Sequence, residues 1–344
     1  MMQREAHDFY RDRLVLITGG LGFLGSNLAL ALQRAGARLT VVDAMIPGCG
    51  ANASNLEGAG IRLERCDIGD GSAMERLLPG AEVIFNLAGE ISHTRSVTHP
   101  ERDLDLNARS QLRFLMSCRR LAPRARVIFA SSRQIYGVPK YLPVDENHPV
   151  CPTDFNGIHK WAAETYHRIL SVTDDMETVC LRLTNVYGPR QALNLPWQGF
   201  IGTFLSRALR GLPVEVYGSG SQLRDMLYAG DAVEAFLGCG ECPLEAGGRH
   251  AVFNIGGPKP LPLAGIAEAV VEAARPTRSE VTYIEFPPSR RKIDIGDYYA
   301  DNRAIGRWCG WSPRVAFAEG IRETVEFYRQ RAGEYPLEPA DPIL

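Results

Sequence analysis

The sequence has no apolar run long enough to cross a membrane and no excess of one charge. Its 344 residues carry 38 Lys and Arg against 40 Asp and Glu, a formal net charge of −2. A nearly neutral chain has no bulk field that attracts nucleic acid or an anionic membrane. Residues 1–13 are polar and lack the apolar core of a signal peptide. These absences predict a cytoplasmic protein with no nucleic-acid or membrane partner.

A second pair of cysteines, which a zinc site would need beside a C-x-x-C motif, is also absent. Eight cysteines are scattered along the chain, and only Cys239 and Cys242 form a C-x-x-C motif. We expect this motif to lie in a loop, with no second ligand pair nearby. The sequence therefore predicts free thiols in a reducing compartment and no metal site.

A glycine-rich turn between apolar runs is the most informative feature that the sequence does have. The run before the turn has the length of a buried strand, and a helix and a second strand follow it. In order, these elements are a strand at Arg13–Thr18, glycines at Gly19, Gly22 and Gly25, a helix at Ser26–Arg34, and a strand at Leu39–Val42 that ends at Asp43. This arrangement is typical of dinucleotide binding.

Each glycine of the turn has a physical role in such a site. Gly19 permits the tight turn, Gly22 lets the backbone approach a pyrophosphate, and Gly25 lets the helix lie close to the strand. The helix N-terminus then offers free N–H groups to the phosphates. Asp43 is suited to accept hydrogen bonds from the ribose hydroxyls and to repel a 2′-phosphate. The sequence therefore predicts NAD rather than NADP as the cofactor.

Strands alternate with helices through about residue 188, which predicts an α/β fold: a Rossmann-type doubly wound parallel sheet. Further strands are predicted at Ile61–Cys66, Glu82–Ala88, Arg126–Ala130, Val179–Leu183 and Val252–Ile255, and helices at Ala73–Leu78, Leu104–Leu121 and Gly157–Leu170. The pattern becomes irregular after Gly188. We expect an NAD-binding domain at 1–188 and a smaller C-terminal portion at 189–344, and a return of the chain to the first domain stays open.

Several motifs follow one another in the order typical of extended short-chain dehydrogenases/reductases, and nearly the whole chain resembles their NAD-dependent nucleotide-sugar epimerase/dehydratase branch. The matching segments are Thr18–Gly25, Asp67-Ile68, the strand-four turn Asn86–Gly89, Asn107, the active-site serine strand Ser131–Gly137, Leu183–Arg190, and the two phosphate clamps Gly218–Asp225 and Arg291–Asp301. The resemblance implies NAD, a nucleotide-diphosphate sugar bound by the C-terminal portion, and chemistry through a transient ketone.

The resemblance also implies which residues contact each molecule. The implied cofactor contacts are Gly19, Gly22, Phe23, Leu24, Gly25, Asp43, Asp67, Ile68, Leu87, Ala88, Gly89, Asn107, Lys160 and Val186. The implied substrate contacts are Ser132, Arg133, Gln134, Asn185, Arg224 and Arg291. Arg133 is suited to hold a carboxylate or a phosphate of the sugar nucleotide in a bidentate contact, or else forms a surface ion pair.

The sequence departs from the family at its catalytic pair, Tyr-x-x-x-Lys. Lys160 is in place, but Asn156 stands four residues earlier. Residues four apart share one helix face, so a tyrosine there would lie beside the lysine ammonium, which lowers the pKa of a phenol from about 10. Asparagine cannot serve as this base. An active enzyme must therefore place the base elsewhere, with Ser132 left as a hydroxyl relay.

Three side chains are candidates for the relocated base. Glu90 ranks first because it follows the strand-four turn, where the resemblance implies that nicotinamide and sugar meet. His93 follows in the same loop, and His159 precedes Lys160. Each of the three is alternatively a packing or surface residue.

The residues after Ser132 rank the reactions. Similar 4,6-dehydratases carry Asp-Glu there, and decarboxylases carry a glutamate at the second place, whereas this chain has Arg133 and Gln134. Epimerisation is therefore the leading prediction. The alternatives are a dehydratase, decarboxylase or net oxidoreductase with a relocated base, and a binding protein that has lost catalysis.

Two helical segments predict a homodimer. Leu104–Leu121 and Gly157–Leu170 match the helices that form a four-helix interface in similar enzymes. Leu112, Leu115 and Met116 form one apolar stripe at helical spacing. The alternative is that this stripe packs only on its own sheet.

Overall fold

A seven-stranded parallel sheet forms the centre of the molecule. Its strands lie in the order His250–Ile255, Thr178–Leu183, Arg126–Ser132, Val83–Asn86, Leu14–Thr18, Arg38–Val42 and Arg62–Glu64. The computed structural model describes residues 7–244, 248–287 and 294–340. The strands are β1 Leu14–Thr18, β2 Arg38–Val42, β3 Arg62–Glu64, β4 Val83–Asn86, β5 Arg126–Ser132, β6 Thr178–Leu183, β7 Asn185–Tyr187, β8 Val214–Tyr217, β9 Leu223–Tyr228, β10 His250–Ile255, β11 Pro260–Pro262 and β12 Val281–Ile284. Strand β4 is buried along its whole length, as expected for a parallel sheet covered on both faces.

Helices cover both faces of this sheet. They are α1 Phe23–Arg34, α2 Gly71–Leu77, α3 His93–Thr98, α4 Pro100–Leu104, α5 Ser110–Leu121, α6 Phe155–Asp174, α7 Phe200–Leu209, α8 Ala229–Glu241, α9 Leu263–Ala273, α10 Arg303–Cys309 and α11 Phe317–Gln330. Ile17 and Phe85 pack with α1 and α8, whereas their neighbours Leu16 and Ile84 pack with α5 and α6. This alternation confirms the predicted doubly wound α/β fold.

The chain after residue 188 builds a second, smaller core and then returns to the central sheet. A three-stranded sheet, β11-β9-β7, and a two-stranded sheet, β12-β8, pack with α7, α9 and α11 around buried Phe204, Val216, Ile266 and Ile321. Strand β10 joins the central sheet beside β6, and α8 packs on α1. The domain boundary at 188 stays a prediction.

Two local predictions differ from the structure. Leu104–Leu121 was expected to be one helix, but a π-helical turn, Asp105–Arg109, separates α4 from α5. Cys239 is buried within α8 rather than in a loop, because α8 continues to Glu241 and turns this face toward the core. No helix among the described residues is long and apolar enough to span a membrane.

Candidate active site

The glycine turn brings the backbone of β1 close to the start of α1. Gly19 has φ +68°, and a Cβ there would lie 2.9 Å from the backbone of Ala88. A Cβ on Gly25 would lie 2.2 Å from the Gly19 carbonyl oxygen. Gly22 is the N-cap of α1 and supplies no side-chain cap, so the first N–H groups of the helix are left for a ligand.

Asp43 lies at the end of β2 and is fixed against this turn. Its Oδ2 accepts a hydrogen bond from the Leu21 amide at 2.9 Å, and its Oδ1 accepts one from the Met45 amide at 2.8 Å. Burial raises the pKa of the carboxyl, and the two amides act against that rise. The carboxylate therefore has a defined position, with lone pairs left for further donors.

A cavity of about 510 Å³ runs from the glycine turn to the C-terminal portion. Every predicted cofactor contact lines it except Asn107, and every predicted substrate contact lines it except Arg291, which lies outside the described residues. Asn107 instead lies behind the strand-four turn, where its Oδ1 accepts from the Glu90 amide at 3.1 Å. The π-helical turn is the local structure that carries this asparagine.

Helix α6 carries Asn156 and Lys160 into the cavity. The Lys160 ammonium lies 3.5 Å from the Ala130 carbonyl oxygen, and burial lowers its pKa to about 8. The Asn156 Nδ2 donates to the Glu90 carbonyl oxygen at 3.0 Å and to Asp103 Oδ2 at 2.8 Å. Asn156 is therefore held in place by two acceptors, one turn before Lys160.

Glu90, the first-ranked base, does not line the cavity. Its carboxylate is 2% exposed, accepts from the Cys49 thiol at 3.4 Å and lies 3.9 Å from the Arg95 guanidinium. Burial raises its pKa. The carboxylate therefore faces the segment that carries Cys49 and not the cavity.

His159 also does not line the cavity. Its Nδ1 lies 2.7 Å from Asp103 Oδ1. Residues three apart on a helix are neighbours on one face, so His159 and Asn156 reach the two oxygens of the same carboxylate. Asp103, a buried carboxylate that sequence reasoning missed, thus joins two candidate site residues behind the cavity wall.

His93 does line the cavity and is held on both ring nitrogens. Its Nδ1 contacts Asp154 Oδ2, and its Nε2 contacts the side-chain amide of Gln134. The imidazole is 37% exposed, and the Asp154 side chain is 4% exposed. Sequence reasoning missed Asp154. The signal for it was an Asp directly before an apolar-periodic helix, the N-cap position that it occupies.

The serine strand and the C-terminal portion complete the cavity. Ser132 Oγ accepts from the backbone N–H of Gln134 at 3.2 Å. The Arg133 guanidinium lies over the Tyr298 ring at 5.0 Å, and it has no hydrogen bond or ion pair within the described ranges. Burial lowers the pKa of Arg133.

Arg224 forms an ion pair with Asp294 and not with Asp225, the next residue along the chain. Its guanidinium lies 3.2 Å from Asp294 and also donates to the Gly296 carbonyl oxygen. Asp225 instead accepts from Thr184 and from the Ala300 amide. Arg224 therefore lines the cavity and has one carboxylate, Asp294, as its ion-pair partner.

A sequence profile of the NAD-dependent epimerase/dehydratase family matches residues 15–256. The chain belongs to this family. It is 31% identical over 319 residues to the UDP-glucose 4-epimerase of Mycolicibacterium smegmatis, covering 92% of this chain and 99% of the relative. The solved UDP-glucose 4-epimerase of Thermotoga maritima with UDP-glucose superposes with a TM-score of 0.83 at 29% identity, covering 92% of this chain and 99% of that one. MoeE5, solved with UDP-glucuronic acid and NAD, superposes with a TM-score of 0.79 at 26% identity, with the same coverage.

Membership of this family makes the protein an NAD-dependent enzyme. The glycine turn fits that cofactor. Added Cβ atoms at Gly19 and Gly25 would collide with the backbone, so this close turn requires glycine, and the cavity runs beside it. Gly89 gives a second such indication: a Cβ there would lie 2.9 Å from Lys160 Nζ. The N-terminus of α1 would hold the phosphates, and Asp43 would hold the ribose.

Proposed function

We propose that the protein epimerises a nucleotide-diphosphate sugar through a transient keto intermediate. The observation that carries this proposal is the single cavity that joins the glycine turn to Arg224, with Ser132 and Lys160 in its lining. Relatives named UDP-glucose 4-epimerase support the same reaction. When bound, NAD supplies a hydride acceptor that later returns the hydride.

The residues divide into three groups. The glycine turn, Asp43 and Lys160 bind the cofactor. Ser132 and Gln134 contact the sugar, and Arg224 contacts the diphosphate, because its buried cation suits a pyrophosphate. Arg133 binds a second anionic group of the substrate, since the described residues offer its guanidinium no carboxylate partner.

Epimerisation is favoured over dehydration and decarboxylation by Arg133 and Gln134. Both line the cavity at the places where similar dehydratases carry an acid and a base. An amide and a guanidinium do not transfer protons near neutral pH. An epimerase needs only the proton of one hydroxyl to leave and return, so it is the reaction least affected by these two residues.

The test is a panel of UDP- and dTDP-sugars incubated with the protein and NAD, with products identified by mass and by sugar NMR. An epimer keeps the mass of its substrate, whereas a dehydratase product lacks water and a decarboxylase product lacks CO₂. Binding of sugars with no product from any of them would favour the alternative in which catalysis has been lost.

The proposed enzyme is a homodimer formed through α5 and α6. Leu112 and Met116 on α5 and Ile169 and Val172 on α6 are exposed large apolar side chains. Leu115, expected in the same stripe, is buried against the sheet. The exposed apolar side chains on two neighbouring helices favour a partner helix pair. A reducing, cytoplasmic location is supported by the buried thiols of Cys118 and Cys180.

A further inference from the structure

We propose that His93, oriented by Asp154, is the group that takes the proton from the sugar hydroxyl and returns it. This assignment rests on the proposed function and gives the role of the missing tyrosine to another element. The imidazole begins α3, after the strand-four turn, and Asp154 caps α6, the helix that carries Asn156 and Lys160. The contact between them joins α3 to the start of α6, at the end of the cavity that Asn156 and Lys160 line.

Asp154 has the contacts of a positioning residue. Its Oδ1 accepts from the Gly157 amide at 2.8 Å, and its Oδ2 contacts His93 Nδ1. Although burial acts in the opposite direction, the hydrogen bond and charge of His93 hold the pKa of Asp154 below its ordinary value. A carboxylate at Nδ1 fixes the proton on that nitrogen and leaves Nε2 as a hydrogen-bond acceptor with one lone pair.

Gln134 accommodates both charge states of the imidazole. Its amide N–H donates to Nε2 when the ring is neutral and no sugar is bound, and the sugar hydroxyl would replace it as the donor to Nε2. After protonation, rotation of the amide by half a turn would bring Oε1 to accept from Nε2–H. Oε1 is buried and has no hydrogen-bond partner among the described residues, so this rotation breaks no other bond of that oxygen.

His93 and Asp154 form a pair of one imidazole and one carboxylate. The charged groups that face the pair are Asp154 and, through Asp154, Arg133. Lys160 lies farther along α6, and Glu90 is turned toward Cys49.

The proposed step transfers one proton and one hydride from the sugar and later returns both. The O–H bond of the sugar breaks and its proton passes to Nε2. The hydrogen on the same carbon leaves with its electron pair for the hydride acceptor that NAD would supply, and a C=O bond forms. After the ketone turns over, the hydride returns to the other face and the Nε2 proton returns to oxygen. The imidazole ends as it began, so no further reactant is needed.

The test compares His93→Asn with two other variants. His99→Asn, at an exposed histidine six residues later, is the matched control, and Glu90→Gln removes the base that the sequence ranked first. His93→Asn should lower turnover by about 10²–10⁴-fold and flatten the acid limb of kcat/KM, because the group whose protonation stops proton uptake is gone. Affinity for UDP, measured by calorimetry, should change less than threefold. Added imidazole should restore part of the turnover of His93→Ala and none of that of Asp154→Asn.

A second measurement does not depend on turnover. In protein with ¹⁵N-labelled histidine, the Nδ1 signal of His93 should report a protonated nitrogen in wild type and should shift in Asp154→Asn. The His93 signals should move again when NAD and UDP-glucose are added, while those of His99 stay. An active wild type whose His93→Asn variant keeps its turnover overturns the proposal and leaves the epimerase intact. If wild type converts no sugar, the proposed function fails, and unmoved His93 signals on ligand addition overturn the histidine assignment too.

Discussion

The Asn156 amide donates to the Asp103 carboxylate at 2.8 Å, at the position where similar enzymes carry the catalytic tyrosine. The same amide also donates to the Glu90 carbonyl oxygen. Asn156 is thus part of a hydrogen-bonded wall between the strand-four turn and α4. Its residue type suits that wall, because one NH₂ group serves two acceptors and carries no charge next to Lys160.

Restoring tyrosine by Asn156→Tyr should therefore not raise turnover. The substitution removes both donors and forces an aromatic ring into a packed wall, so we expect the free energy of unfolding to fall by about 1–3 kcal/mol. Urea denaturation and turnover measure the two effects. Asn156→Ala, which removes the amide without adding bulk, separates lost bonds from crowding. Turnover that appears only in Asn156→Tyr would contradict this account and favour a binding protein.

The sequence predicted the path of the cavity better than the direction of individual side chains. Glycines 19, 22 and 25 and Asp43 follow from local rules, because a strand, a tight turn and a helix fix where they lie. Glu90 and His93 are three residues apart in one loop, and only tertiary contacts with Cys49 and Asp154 decide which one faces the cavity. Asn107 depended on a π-helical turn, which has no period that a sequence pattern reveals.

Asp43 should determine the choice of cofactor. Asp43→Ala removes the carboxylate that would accept from the ribose and repel a 2′-phosphate, so the preference for NAD over NADP should shrink by about tenfold or more. Calorimetric titration with both cofactors measures it. Asp43→Asn is the matched control, since it keeps an acceptor for the Leu21 amide but not the charge. A wild type that binds NADP more tightly than NAD would refute this role.

Lys160 should make stability depend on pH in a known direction. Burial lowers its pKa to about 8 from its ordinary value of 10.5, so between these values the unfolded chain binds more protons than the folded one. The contribution of Lys160 to stability therefore rises as pH increases from about 8 to 10.5. Lys160→Met should remove that rise and stabilise the cofactor-free protein at pH 7.

Urea denaturation of wild type and Lys160→Met at pH 7 and pH 10 measures this difference. Lys140→Met, at an exposed position outside the cavity lining, is the control and should follow wild type. Other groups titrate in the same range in both proteins, so the difference between wild type and Lys160→Met gives the contribution of Lys160. Equal pH dependence in wild type and Lys160→Met would show that the buried ammonium is not destabilising.

The exposed faces of α5 and α6 should hold two subunits together. Met116 and Val172 are 38% and 73% exposed, and a glutamate at each should give a monomer because charges cannot be buried unpaired in an interface. Light scattering at micromolar concentration should report a dimer for wild type and a monomer for Met116→Glu with Val172→Glu. Leu63→Glu, an exposed apolar position on β3, should stay dimeric. A monomeric wild type would contradict the proposed interface.

Arg133 should discriminate between substrates that differ in charge. It directly follows Ser132, whereas Arg224 comes from β9, so we expect Arg133 to contact the sugar and Arg224 the diphosphate. A hydrogen-bonded charge pair contributes about 1.5–3 kcal/mol. Arg133→Leu should therefore weaken binding of UDP-glucuronic acid about 10- to 100-fold while changing binding of UDP-glucose and of UDP much less. Calorimetry measures all three, and Arg224→Leu, which should weaken all three together, is the control. Equal losses for the three ligands in Arg133→Leu would assign Arg133 to the diphosphate instead, because UDP is the part common to all three and the diphosphate is its anionic group.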